Sequence, residues 1–268
     1  MPLAVCATPI GNLDDVTLRV LEELRQADVV LCEDTRHTRR LLERHGIEAR
    51  LLSYHEHNEA KRTAELLPRL KEGQRVALVS DAGLPAVSDP GGRLVTAALD
   101  EDVPVTVLPG ASAVQAALVA SGFPADRYEF VGFLPRTEQG RAELWRELAH
   151  SRHTVVAFES PNRLAKTLAS LAGADPERPV AVARELTKRH EEIVRGSAVE
   201  LAERFAEGTR GEITLVIGPS SGEARGEEGA ASEAVAALVQ GGTPRKTAAE
   251  VVSRLTGVSR KRLYDESL

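Results

Sequence analysis

Aromatic side chains supply only 3% of this 268-residue chain, and it has two cysteines and one methionine. No apolar run approaches the roughly 18 residues of a membrane span. The N-terminus enters strand-like residues at once, so neither a basic leader nor a signal peptide is expected. Cys6 and Cys32 lie in separate apolar segments without a Cys-x-x-Cys spacing. They read as buried, reduced core thiols of a cytoplasmic protein. Neither the Gly-x-Gly-x-x-Gly of a dinucleotide fold nor the Gly-Lys-Ser/Thr of a P-loop is present, so a bound ligand need not be a di- or triphosphate. The net charge of −6 excludes a protein that coats nucleic acid indiscriminately. Lysine is scarce as well: only 61, 71, 166, 188, 246 and 261 among 34 basic residues.

What is present is an alternation of short apolar runs with helical periodicity. Strands are expected at 3–7, 29–32, 50–53, 76–80 and 103–108, separated by helices. The first of those helices is expected to be capped by Asp14 or Asp15. Such alternation implies a largely parallel sheet covered on both faces. After the turn at 109–112 a helix runs through Val114, Leu118 and Val119. Further strands are expected at 130–134, 154–159, 180–184, 192–195 and 213–217, with less regular connections. The division is therefore an N-terminal α/β domain at 1–111 and a second, more mixed α/β domain at 112–218. Residues 219–230 are rich in Gly, Ser and Glu and read as a solvated linker. A small helical unit at 231–268 follows, with Ala248, Val251, Val252 and Leu255 as its apolar stripe. Gly257 stops that helix and Ser259 begins the next, a helix-turn-helix outline. Between 245 and 262, six positive residues (Arg245, Lys246, Arg254, Arg260, Lys261, Arg262) meet only Glu250. That is a local basic patch on an acidic chain, suited to nucleic acid.

The segments that carry chemistry follow strands, where open α/β sheets bind ligands. In Leu-Val-Ser-Asp-Ala-Gly-Leu-Pro-Ala-Val-Ser-Asp-Pro-Gly-Gly (78–92), an apolar run ends in two Asp and three Gly, a backbone-rich loop beside which a ligand can lie. The turn at 7–13 occupies the equivalent place after the first strand. In 32–40, Asp34 fits a helix N-cap. Arg36, Arg39 and Arg40 so early in a helix suggest instead a surface for an anionic substrate. His55 and His57 share one side of an extended segment but have no evident third ligand, so no metal is expected. Glu159 and Lys188 stand at later strand ends, and a lysine, unlike an arginine, can lose its proton.

Together these residues resemble the tetrapyrrole methylase superfamily, and within it the ribosomal RNA small subunit methyltransferase I family. The resemblance rests on 7–13, 33–36, 54–58, 80–91, 109–113, 132–136, 158–163, 184–188 and 211–217, with the C-terminal helices. Glu-Asp-Thr-Arg together with Tyr-His-Glu-His-Asn points to the RNA enzyme rather than to corrin or porphyrin methylases. The resemblance implies an α/β fold of two domains with an S-adenosyl-L-methionine cleft between them, plus the helical module as an RNA clamp. It implies 2'-O-methylation of a cytidine ribose in the decoding region of 16S rRNA, free or within the small ribosomal subunit, by a homodimer. It assigns cofactor contacts to Pro9, Asp81, Ala82, Gly83, Ser112, Ala113, Phe158, Glu159, Leu186 and Ile213. This chain carries Asp81-Ala82-Gly83 where many corrin enzymes have Gly-Asp-Pro. For the chemistry, Asp34, Glu159 or Lys188 is expected to activate or orient the hydroxyl, and Arg36 and Arg184 to hold flanking phosphates. Two other readings compete: a corrin or porphyrin precursor methylase, against which the aromatic scarcity and the basic module count, and a helix-turn-helix DNA-binding regulator.

Overall fold

Alternate residues of the first strand serve two cores. In the computed structural model, which describes residues 2–149, 151–220 and 222–266, β1 (Leu3–Cys6) sends Leu3 and Val5 to one face and Ala4 and Cys6 to the other. The same alternation in β2 (Val29–Cys32) and β4 (Val76–Val79) makes every residue of these strands buried, as a sheet covered on both faces requires. With β3 (Leu51–Ser53) and β5 (Val105–Leu108) they form an all-parallel sheet in the order β3-β2-β4-β1-β5. Helices α1 (Leu18–Gln26) and α2 (Thr35–Arg44) supply Leu24 and Leu42 to one face. Helices α3 (Glu59–Lys71) and α4 (Gly92–Asp100) supply Leu66 and Leu94 to the other. Both cysteines are free and buried. Burial pushes the Cys6 thiol up to about 12.

The cap of α1 differs from expectation. Asp14 and Asp15 belong to a 3₁₀ turn at Leu13–Asp15, and the Thr17 hydroxyl accepts from Val20 N at 3.2 Å. The shorter Thr side chain, one residue before the helix, reaches that amide.

After β5 the chain enters α5 (Ala113–Ser121), which packs on the second sheet rather than the first. That sheet is mixed, in the order β6-β7-β10-β8-β9: β6 (Tyr128–Phe133), β7 (Thr154–Glu159), β8 (Pro179–Arg184), β9 (Glu192–Ser197) and β10 (Ile213–Ile217). Of its neighbouring pairs only β6–β7 is parallel. One face is covered by α6 (Glu138–Leu148), α7 (Pro161–Ala174) and α8 (Ala198–Arg204) through Trp145, Leu164, Leu168 and Leu201. The opposite face, with Val156, Ala181, Ala183 and Val216, is covered by α5 and by Ile10 of the first lobe. The lobes therefore share one apolar cluster.

The segment expected as a linker differs: α9 (Gly222–Gln240) already includes 222–230. Its alanines and glutamates are strong helix formers, which outweigh the glycines that suggested a coil. Then α9, α10 (Arg245–Thr256) and α11 (Arg260–Glu266) enclose a small core of Ala231, Val235, Ala248, Ala249, Val252 and Leu263. The apolar stripe is rotated from the expected one, because α10 packs against both α9 and α11. Ala249 is buried, whereas Val251 and Leu255 are 45% and 80% exposed. Gly257 ends α10 in the left-handed region, at φ 75°. Met1, His150, Ser221, Ser267 and Leu268, which fall within the expected units, lie outside the described residues. No helix among the described residues is long and apolar enough to cross a membrane.

Candidate active site

Loops at the carboxyl ends of β1, β4 and β5 meet the second sheet around a cavity of about 620 Å³, within the range of small-ligand sites. The loops after β1 and β4 are pinned together. Thr8 N donates to Gly83 O at 2.8 Å, Gly83 N to Thr8 O at 3.1 Å, and the Thr8 hydroxyl to Ser80 O at 2.9 Å. The lobes also touch directly. Asn12 N donates to the Thr187 hydroxyl at 3.0 Å, and a Cβ at Gly11 would lie 2.7 Å from Leu186 O. Only glycine permits that approach.

Eight of the ten expected cofactor residues line the cavity: Ala82, Gly83, Ser112, Ala113, Phe158, Glu159, Leu186 and Ile213. Pro9 and Asp81 do not; they border a small cleft on the α2 side with His37 and Thr38. Asp81 Oδ1 accepts from Asp34 N at 3.1 Å and lies 3.7 Å from His37 Nδ1. Neighbours in each turn face different ways: Ala82 lines the cavity beside Asp81, which does not.

The residues expected to perform chemistry are dispersed. Asp34 caps α2, accepting from Arg36 N at 2.8 Å, and its carboxylate binds the Arg36 guanidinium at 2.9 Å. Hydrogen bonds from Arg36 hold that exposed carboxyl at about 2. Arg184 is engaged by Glu192 at 3.0 Å. Lys188 Nζ lies 2.9 Å from Glu185 and 3.2 Å from Glu212. Partial burial opposes its charge, but those two carboxylates outweigh it, so its proton is held more tightly than usual. None of these four lines the cavity. Glu159 does, yet both its oxygens are committed. Oε1 accepts from Ser160 N at 2.6 Å and faces Arg163, and Oε2 accepts from the Thr167 hydroxyl at 2.6 Å. Tyr54–Asn58 lies away from the cavity, where Asn58 Oδ1 accepts from His55 N at 2.9 Å and Tyr54 pairs with Thr63 at 3.0 Å. No group able to hold a metal ion occurs among the described residues.

Sequence reasoning named Phe158 but missed the rest of the aromatic wall, and it noted Asp89 only as one of two acids in its loop. Three of the five phenylalanines, Phe130, Phe133 and Phe158, line the cavity with Tyr128. Phe130 and Phe133, three apart, would face opposite sides of a regular strand. A bulge between them, with Gly132 at φ 68°, brings both to the cavity beside Phe158, at centroid distances of 5.0 and 5.4 Å. The clustering of a scarce residue type was the available signal. Asp89 lines the cavity from the loop after β4. Burial, and then the charges of Glu33 and Asp81, lift its carboxyl to about 6, against a hydrogen bond with Ser80. Backbone strain gathers here too. Ala86 and Ser88 in that loop, and Glu185 and Thr187 across from Gly11, have positive φ without being glycine.

This arrangement matches known proteins. The profile of the Tetrapyrrole (Corrin/Porphyrin) Methylases covers residues 2–202, and the chain belongs to that family. A uroporphyrin-III C-methyltransferase from Thermus thermophilus, solved with S-adenosylhomocysteine, shares the fold: TM-score 0.55 at 22% identity, over 81% of this chain and 96% of that one. Two curated relatives narrow the family. The Ribosomal RNA small subunit methyltransferase I of Micromonospora olivasterospora is 45% identical over 98% of this chain and 85% of its own length. That of Mycobacterium bovis is 45% identical over 99% and 94%. Within the tetrapyrrole methylases, the chain is a member of the ribosomal RNA small subunit methyltransferase I family.

Proposed function

We propose that this chain methylates the 2'-oxygen of a cytidine ribose in the decoding region of 16S rRNA. The coarser activity, S-adenosylmethionine-dependent methylation of small-subunit rRNA, follows from family membership. The observation that carries the finer reading is the cavity, apolar between the lobes and aromatic at its exposed edge. Tyr128 and Phe133 are 41% and 60% exposed there, ready to stack on a nucleotide taken out of its strand.

The residues present fit the cofactor. Phe158, Leu186 and Ile213 offer apolar contacts for an adenine, and the first backbone N–H groups of α5 offer polar ones. When bound, the sulfonium supplies an activated methyl group. The protein's task is alignment, because the leaving group becomes neutral and little charge needs stabilising. Glu159, tied to Ser160, Arg163 and Thr167, holds the cavity wall, and Lys188 ties Glu212 of the rim to Glu185. Arg36, Arg39 and Arg40, exposed along α2, and the basic C-terminal module supply phosphate attraction. A homodimer in the cytoplasm is part of this proposal. Exposed Val107 on edge strand β5 and Val119 on α5 are apolar surface that a second copy would cover.

The test is incubation with methyl-labelled S-adenosylmethionine and small-subunit RNA, assembled small subunits, or tetrapyrroles. Label is expected in one cytidine of the RNA, on a linkage that resists alkali. Label in the tetrapyrrole, or none in either RNA sample, would count decisively against the reading. Within it, Phe133→Ala is expected to weaken RNA binding about tenfold, as loss of one stacking contact does. Cofactor affinity, read by calorimetry, should stay within about threefold, since the Phe158 wall remains.

A further inference from the structure

The cavity wall holds three carboxylates, Asp89, Glu159 and Glu212. Glu159 spends both oxygens on Ser160, Arg163 and Thr167, and Glu212 faces Lys188. Asp89 differs. Among the described residues no cation pairs with it, and the groups around it are the neutral Ser80 and two further carboxylates. It stands on the strained loop 80–91, which the Thr8–Gly83 bridge holds against the cavity.

We propose that Asp89 is the general base of the methyl transfer, accepting the proton of the attacking ribose hydroxyl. The inference rests on the ribose reading above. As the 2'-oxygen bonds to the methyl carbon, the carbon–sulfur bond breaks and its electron pair stays on sulfur. The hydroxyl proton passes to the Asp89 carboxylate and from there to solvent. S-adenosylhomocysteine leaves neutral at sulfur, so atoms and charge balance.

The surroundings suit a base working near neutrality. The charged groups around Asp89 are Glu33 from the end of β2 and Asp81 from the end of β4. Beyond them, Asp34 is neutralised by Arg36, His37 sits against Asp81, and His55 acts on Glu33. Burial, and then like charges, raise the affinity of Asp89 for a proton to about 6, so it is predominantly ionised at neutral pH and above. A group so placed destabilises the fold while ionised. Because the folded-state pKa is raised, that burden is absent below the unfolded value near 4, grows between about 4 and 6, and is full above about 6.

The experiment uses the full chain, with Asp89→Asn and Asp89→Glu compared to wild type between pH 5 and 9. Turnover of wild type on small-subunit substrate should climb about tenfold per pH unit to a plateau above about 6. Asp89→Asn should lose about 10²–10⁴-fold in turnover, together with that acid limb. Asp89→Glu should recover part of the rate with a displaced limb. Calorimetry at pH 8 should show Asp89→Asn binding S-adenosylmethionine within about threefold of wild type. Its thermal midpoint at pH 8 should equal or exceed wild type, with the gap closing toward pH 4, whereas a purely structural aspartate would show a fall. Asp89→Asn turning over at the wild-type rate, keeping the limb, or failing to bind cofactor overturns the assignment alone. Wild type that labels a nucleobase instead of a ribose overturns the functional reading, and the base with it.

Discussion

Replacing Arg163 with alanine is expected to destabilise the protein by about 3–5 kcal/mol, the cost of leaving a buried charge without its partner. Glu159 ends β7 with its side chain wholly buried, and Arg163, one helical turn along, lies 2.5 Å from Oε1. Ser160 N and the Thr167 hydroxyl complete the shell at 2.6 Å each. Hydrogen bonds from those two neutral donors cannot offset the desolvation of a full negative charge. The thermal midpoint should drop on the order of 10 °C. A second change, Glu159→Gln, should restore part of the loss by removing the stranded charge, so the two substitutions should couple rather than add. Denaturant melts of the single and double variants read this directly. A loss below about 1 kcal/mol in Arg163→Ala would show that the pair is no better than a solvated surface bridge. Because Glu159, Ser160 and Pro161 also line the cavity, the variant should bind S-adenosylmethionine more weakly, the expected signature of a wall that has slackened.

Much of the fold was legible because buried strands are written as continuous apolar runs. The runs at 29–32, 154–159 and 213–217 coincide with β2, β7 and β10. The change of rhythm after residue 112 was legible as well, since α5 begins at Ala113 and packs on the mixed sheet. The site was legible as loops but not as side chains. Neighbouring residues in a turn face different ways, and no periodicity tells Ala82, which lines the cavity, from Asp81, which does not. Glu159 reads as a free carboxylate until Thr167 and Arg163 are folded back over it. The i, i+4 spacing to Arg163 was the one hint. Asp89 was legible as one of two acids in the 78–92 loop but not as distinct from Asp81, because its character comes from burial and from Asp81 in its own loop and Glu33 at the end of β2. The α10 stripe shifted because α10 packs against both α9 and α11, so its buried arc runs through Ala248, Ala249 and Val252 rather than Val251 and Leu255.

Removing charge from the C-terminal module should abolish most RNA affinity without touching the cofactor site. Lys246, Arg254, Arg260 and Lys261 are all exposed, and the module is held together by Ala248, Ala249, Val252 and Leu263 rather than by these cations. Among the described residues, the one ion pair made by these four is Arg254 with Glu250, at a loose 3.9 Å. Changing all four to glutamine therefore leaves the helices folded. If each neutralises one phosphate, the slope of log affinity against log salt should become shallower by about 3, from roughly 0.7 per single-strand contact. At physiological salt that corresponds to a loss of about two orders of magnitude in RNA binding. The body of the chain cannot compensate, because the protein as a whole carries −6. Its arginines on α2 act locally, and Arg36 is already partly neutralised by Asp34. Turnover at saturating RNA should be nearly unchanged, since none of the four residues lines the cavity. Filter binding across a salt series, with calorimetry for the cofactor, separates the two effects. An unchanged salt slope would mean that the RNA runs elsewhere, and a parallel loss of cofactor affinity would mean that the module supports the cleft instead of the substrate.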